Sequence, residues 1–321
     1  MYSFQELSEI FAEKFGQQHF PAEPAGLYEP AEYFLGIGGK RIRPIACVMG
    51  NELFNRIKTP VWSVAYALEL FHNFTLLHDD IMDNSPLRRG KPTVHERNGV
   101  NTAILSGDVM LIRAYAYLSS VKTKYLPDLF KLFNRTAKGV CEGQQLDMDF
   151  EKKALISMDE YIRMITLKTS VLLAASFTMG AMVAGAVDED RTHIYEFGKN
   201  LGIAFQIQDD YLDCFGDTEK FGKKTGGDIL RNKKTFLLIK AQEEVLGEQK
   251  AELARLLANN ADDKVEKIID IYKSCGVDEW AKELQQIYAD RALRHLKDIK
   301  VEGSRKKCLQ DLADYLLQRE Y

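Results

Sequence analysis

Apolar positions along this chain recur every three or four residues and seldom alternate. Ala65, Leu68, Phe71, Thr75 and Leu76 fall on one stripe, and Ile194, Phe197, Leu201 and Phe205 on another. On a helix, residues at those intervals share one face. The breaks are short, and three of them, GIGGKRIRP, NSPLRRGKPT and GDTEKFGKKTGGD, are rich in glycine and lysine or arginine. With only 8 prolines and 22 glycines, long stretches run uninterrupted. The pattern predicts an all-α chain of ten or more helices forming a single domain over residues 1–321. No linker, low-complexity segment or repeat of solenoid length divides it.

Composition narrows the classes. A 45% hydrophobic, 28% charged chain is that of a soluble globular protein with a large core. A net charge of -4 and a pI near 6.0 argue against a nucleic-acid surface, so an anionic ligand has to be met by local basic groups. The five cysteines (Cys47, Cys141, Cys214, Cys275, Cys308) are scattered without metal-ligand spacing, which fits reduced thiols in a cytoplasmic protein. The N-terminal MYSFQELSEIFAEKF lacks a signal pattern and reads as an amphipathic helix. Residues 169–187, TSVLLAASFTMGAMVAGAV, carry no charge and approach the ~20 residues a bilayer requires. Their Ala, Gly, Ser and Thr content predicts a buried core helix and no membrane span.

Charge placement supplies the candidate chemistry. LLHDDIMDNSPLRRG sets Asp79, Asp80 and Asp83 in apolar sequence, and FQIQDDYLDCFGD repeats the pattern with Asp209, Asp210 and Asp213. The outer carboxylates of each cluster are four residues apart, so on a helix they stack about one turn apart. The middle aspartate is rotated by about 100° and assists at an angle. Uncompensated carboxylates in apolar surroundings are costly, and a hard divalent cation relieves them. Mg2+ takes oxygen ligands and keeps waters and phosphate oxygens in its shell. Two matched acidic clusters across a cavity therefore predict a cation cage for a polyphosphate. Lys40, Arg41 and Arg43 in GGKRIRP, Arg88 and Arg89 after the first cluster, and Lys223, Lys224 and Lys233 after the second suit phosphate recognition. No Ser-His-Asp or Cys-His arrangement is visible.

These motifs, in this order, resemble the trans-isoprenyl diphosphate synthases, the polyprenyl synthetase family, from about residue 35 to beyond residue 240 and weakly to the C-terminus. GGKRIRP is similar to the family's isopentenyl diphosphate loop, HNFTLLHDDIMDNSPLRRG and FQIQDDYLDCFGD to its two aspartate-rich motifs, LKT to its mid-chain Lys-Thr pair and GKKTGGDILRNKKT to its final lysine segment. The resemblance implies a helical bundle of the isoprenoid-synthase type around a large central cavity. It implies a homodimeric enzyme condensing isopentenyl diphosphate head-to-tail (1'-4) with an allylic diphosphate. Three Mg2+ ions, replaceable by Mn2+, would be held by Asp79 and Asp83 (two ions) and Asp209 (the third), with Asp80, Asp210 and Asp213 in support. Arg88, Lys168, Lys223 and Lys233 would bind the allylic diphosphate, and Lys40, Arg43, His72 and Arg89 the isopentenyl diphosphate. Thr169 and Gln206 would border the reacting carbons, making Lys168, Thr169, Gln206 and Lys223 the catalytic set.

Two departures stand out. NKKTFLL lacks the proline that many members carry, so Lys234 could share the place of Lys233. The C-terminal LLQREY offers only Arg319 as a cation, so a basic flap is not evident. His78 and His95 are read as structural.

The helix upstream of Asp79 supplies the candidate chain-length residues, and the family resemblance implies a C15 to C20 product where, as here, one aromatic stands five positions upstream. Phe74 lies five positions back, about 7.5 Å along a helix, Phe71 lies about 12 Å back, and Thr75 is small enough to let a chain pass. The expected product is C20, geranylgeranyl diphosphate, with C15 farnesyl diphosphate or a longer polyprenyl diphosphate as alternatives. A class I terpene cyclase would need neither the second DDxxD nor GGKRIRP. An HD-type phosphohydrolase would leave the second cluster idle, and a non-catalytic synthase subunit would lose aspartates that are all present here.

Overall fold

The computed structural model describes residues 1–122, 124–216, 226–259 and 261–317. Helices make up nearly all of the regular structure, as the three- and four-residue apolar spacing predicts. Among the described residues the only strands are Leu87–Arg88 and Lys91–Pro92, a two-residue antiparallel pair.

The chain divides into two compact units. The first comprises residues 1–134, 175–194 and 300–308. It holds α1 (Phe4–Phe15), α2 (Ala25–Gly36), α3 (Ile42–Phe54), α4 (Pro60–Met82), α5 (Val94–Asn98) and α6 (Val100–Ser119). It also holds parts of α7 (Leu126–Glu151), α9 (Val171–Ala184) and α10 (Asp188–Phe215). α1 begins with a capping box, in which Ser3 Oγ accepts from the Glu6 amide and the Glu6 carboxylate accepts from the Ser3 amide. α4 starts with Pro60 at its first position, where no helical N–H partner is lost. Its residues Val61, Val64, Ala65, Leu68, Leu70, Phe71 and Leu77 are buried, so most of its circumference is core. It packs against α3 and α6.

The small-residue stretch has a physical reason in this unit. A Cβ on Gly180 would lie 1.8 Å from the Cys47 carbonyl oxygen, and one on Gly50 would lie 2.2 Å from that of Phe177. Glycine at both places lets α3 and α9 approach backbone to backbone. Asn51 bridges the contact, donating from Nδ2 to the Gly180 carbonyl and accepting on Oδ1 from the Lys58 amide. The described residues contain one run long and apolar enough to cross a membrane, Met158–Ala184, and 78% of its most apolar window is buried inside the protein. It belongs to the core, as its composition predicts.

The second unit comprises residues 135–174, 195–299 and 309–321. Besides its shares of α7, α9 and α10 it contains α8 (Met158–Ile165), α11 (Gly227–Leu230), α12 (Phe236–Glu244), α13 (Gly247–Ala258), α14 (Lys264–Ser274), α15 (Val277–Asp298) and most of α16 (Gly303–Leu317). Its core gathers Tyr161, Ile207, Phe236, Leu237, Ile268, Tyr272 and Val277, with Trp280 packed on Phe236. The predicted stripe on α10 is buried at Phe197 and Leu201 and half-buried at Phe205.

Candidate active site

In the first unit the acidic cluster closes α4. Asp79 and Asp80 sit in its last turn, and Asp83 caps it, its amide donating to the Asp79 carbonyl at 2.8 Å. The helix then stops: Asn84 takes φ 49°, and after Pro86 the chain turns in a two-residue hairpin. Arg89 and Gly90 form that turn with φ of 52° and 75°, the left-handed pair such a tight hairpin demands. The hairpin brings Arg88 back onto the cluster. Its Nε lies 2.9 and 2.8 Å from the two Asp80 oxygens, and its Nη2 is 2.8 Å from Asp80 Oδ1 and 3.8 Å from Asp79 Oδ2. Asp80 is only 3% exposed, and burial raises its carboxyl above the usual range despite the guanidinium.

The same unit assembles the residues expected at the isopentenyl diphosphate. Arg89 donates to the Gly38 carbonyl and lies across Gly39, where a Cβ would come within 2.6 Å of its guanidinium. Arg43 Nη1 donates to His72 Nε2 at 3.0 Å. Burial holds the His72 imidazole well below its ordinary range, and Arg43, Arg89, Arg88 and Arg41 depress it further. The ring is therefore neutral and accepts from Arg43. Burial lowers Arg43 itself to about 10, with Glu69 opposing and Arg89 adding to the fall. Lys40 is exposed in the same loop. Arg41 faces elsewhere: it pairs with buried Glu69 and donates to the Leu35 carbonyl at 2.6 Å from a backbone at φ 50°. The glycine-rich loop thus spends one arginine on its own structure.

In the second unit a π-helical turn, Thr166–Ser170, joins α8 to α9 and carries Lys168 and Thr169. Such turns insert one extra residue and re-aim the side chains on them. Two glycines make room: a Cβ on Gly143 of α7 would lie 2.3 Å from the Lys168 amide nitrogen, and one on Gly202 of α10 would lie 2.8 Å from Ser170 Cα. Lys168 Nζ reaches Asp147 Oδ2 at 2.6 Å. Thr169 Oγ1 donates to Gln206 Oε1 at 3.0 Å, and Gln206 Nε2 donates to Asp210 Oδ1 at 2.8 Å. Tyr161 Oη donates to the other Asp210 oxygen at 2.6 Å.

Asp210, the middle acid of its cluster, is 3% exposed like Asp80. Burial pushes its carboxyl up, Asp228 adds to this, and Lys233, Tyr161 and Gln206 oppose it. Asp209 is exposed on α10, and Asp213 Oδ2 accepts from the Asp228 amide at 2.8 Å. Lys233 Nζ lies 3.6 Å from Asp228 Oδ2. Burial alone would lower this ammonium, but the carboxylates of Asp210, Asp228 and Asp147 outweigh it and raise it. Lys223 and Lys224 lie outside the described residues, as does Arg319. Lys234 is half-buried beside Lys233.

Both clusters follow one plan. The middle carboxylate is sunk and tied to protein donors, while an outer pair at i and i+4 offers hard oxygen ligands. Among the described residues no group of three or more His, Cys, Asp or Glu side chains could hold a metal unaided. Carboxylate oxygens are ligands that a hard cation such as Mg2+ takes together with phosphate and water oxygens. Three residues escaped the sequence reading: Asp147, Tyr161 and Asp228. Asp228 lies inside the quoted lysine segment and was legible there as its only acid. Tyr161 looks like any core aromatic.

An all-helical frame with two acidic clusters, each beside basic partners, is the architecture of the isoprenyl synthases. The chain belongs to the polyprenyl synthetase family, whose model matches residues 24–274, and it is a prenyltransferase. It is 41% identical over 298 residues to the short chain isoprenyl diphosphate synthase of Methanocaldococcus jannaschii, covering 92% of this chain and 90% of that protein. It is 36% identical over 305 residues to the geranylgeranyl diphosphate synthase of Methanosarcina mazei, covering 93% and 91%. A crystal structure of a geranylgeranyl pyrophosphate synthase superposes with a TM-score of 0.95 at 42% identity, covering all of both chains.

Proposed function

We propose that this prenyltransferase makes C20 geranylgeranyl diphosphate by Mg2+-dependent 1'-4 condensation of isopentenyl diphosphate with allylic diphosphates. The observation that carries the reading is the repeated plan of a buried middle aspartate flanked by less buried outer ones, each cluster beside its own cations. Bound Mg2+ would neutralise the leaving diphosphate as a Lewis acid, held by Asp79 and Asp83 and by Asp209. Arg88, Lys168, Lys223 and Lys233 would hold the allylic diphosphate while its C–O bond ionises. Lys40, Arg43, His72 and Arg89 would fix isopentenyl diphosphate so that its double bond attacks the allyl cation, and transfer of a proton to the released diphosphate would complete the product. Positioning and charge neutralisation are the protein's contribution, with no covalent nucleophile. Asp147 and Asp228 would keep Lys168 and Lys233 in place until phosphate replaces them as partners.

Support for C20 comes from α4. Phe74 is half-buried one turn above the acids, Phe71 backs it at 5.8 Å, and Thr75 donates its hydroxyl to the His72 carbonyl at 2.8 Å. Purified protein given isopentenyl and geranyl diphosphates should release diphosphate only with Mg2+ or Mn2+ present. Release without any divalent cation would reject this reading.

A homodimer belongs to the same proposal, with a cytoplasmic location. α6 exposes Val100, Ile104, Leu105 and Ile112, the last 66% exposed, on a face that also carries Asn101 and Asp108. Leu105→Glu with Ile112→Glu should convert a dimer to a monomer in light scattering.

A further inference from the structure

His78 stands one residue before the first acid, and the family chemistry proposed above gives it no part. Its surroundings give it one. The Phe74 and His78 rings meet edge to face, with centroids 4.7 Å apart at 64°. On its other side His78 is held by α6, where Nε2 donates to the Ile104 carbonyl at 3.1 Å. One turn along α6 is Gly107, and a Cβ there would lie 2.3 Å from His78 Nε2 and 2.5 Å from Cδ2. The imidazole is thus wedged between the α6 backbone and Phe74. Behind Phe74 stands Phe71, which is fixed by Phe133 at 5.3 Å, and Phe133 in turn meets Tyr115 at 5.2 Å. Phe74 has little freedom between two rings that are themselves anchored.

We infer that His78 is a positioning residue for product length: it holds the Phe74 ring across the path of the growing tail, and α6 holds His78. This rests on the prenyl-elongation reading and on Phe74 as the stop. A large side chain in a packed row turns only when a neighbour yields, so loss of the His78 ring should release Phe74 as effectively as trimming it.

The test is the product distribution of the purified full-length protein with Mg2+, isopentenyl diphosphate and geranyl diphosphate, read by chromatography of the dephosphorylated alcohols. His78→Ala should lengthen the main product by at least one five-carbon unit. His78→Phe, which keeps a ring against Phe74, should leave the length as in the wild type. The double variant His78→Ala/Phe74→Ala should reach no further than Phe74→Ala alone, because both changes remove one barrier. If His78→Ala does not fold, Gly107→Ala carries the test from the α6 side: it drives the imidazole toward Phe74 and should shorten the product. An unchanged length in His78→Ala, or in Gly107→Ala where that variant carries the test, overturns the inference whatever the rate. So does a double variant that sums the two extensions. A wild type that extends no allylic diphosphate overturns the parent reading instead.

Discussion

Arg41 and Arg43 sit two residues apart in one basic loop, yet their surroundings give them different work. Arg41 is tied to Glu69, a 3% exposed carboxylate that also accepts from Asn73 Nδ2, and its removal strands a buried charge. Arg41→Ala should therefore cost about 3 kcal/mol of stability in chemical denaturation, while Lys40→Ala should raise KM for isopentenyl diphosphate. The second prediction at this scale concerns Tyr161. Its hydroxyl donates to Asp210 beside the Gln206 amide, and a hydrogen bond to a charged group contributes about 1.5–3 kcal/mol. Tyr161→Phe should lower kcat/KM by about tenfold or more and weaken Mn2+ binding measured by electron paramagnetic resonance. A change in stability alone would assign Tyr161 to the core only. The sequence made the acids legible, because two DDxxD clusters in apolar helices are costly without a purpose. It could not divide the arginines of GGKRIRP, because only the fold shows that Glu69 lies under Arg41.

Elements decide where the catalytic groups point. The helical content was readable from the three- and four-residue spacing, and the core character of 169–187 from its small residues. The π-helical turn was not readable: TLKTS contains no proline, no glycine and no break in apolar spacing. Its causes lie on other helices, in Gly143 and Gly202, which let α7 and α10 come close enough to hold it. Gly143→Ala should therefore displace Lys168 and depress kcat far more than the KM for isopentenyl diphosphate, which on the proposed reading the other unit's residues would bind. Gly180→Ala, with its Cβ 1.8 Å from a carbonyl oxygen, should act on stability instead, by about 1–3 kcal/mol or more in thermal unfolding. The two-residue hairpin at Arg89-Gly90 was likewise hidden behind a Pro/Arg/Gly break that reads only as a loop.

For the whole molecule, two histidines link folding to pH. His19 lies between α1 and α2, its ring nitrogens 2.9 Å from Tyr117 Oη and from the Phe15 carbonyl. Burial lowers its imidazole below the ordinary value; the Phe15 carbonyl and Glu32 oppose the fall, and Arg113 and Arg41 add to it. His72 is lowered in the same direction. Each binds its proton more readily when unfolded, so the stability each contributes is present above about pH 6.5 and is lost as pH falls through the folded-state value. Melting temperature should drop between pH 7 and pH 5, and His19→Gln should flatten part of that slope. The limit is about 1.4 kcal/mol per pH unit for each histidine.

The proposed ligands divide between the units: the first carries Asp79 and Asp83, the second Asp209, Lys168 and Lys233. The most direct measurement is the chain length made from radiolabelled isopentenyl diphosphate and geranyl diphosphate with Mg2+, resolved by chromatography. A main product of C20, lengthened by Phe74→Ala, is the predicted result. Diphosphate released without incorporation of label, or a main product beyond C25, would contradict it.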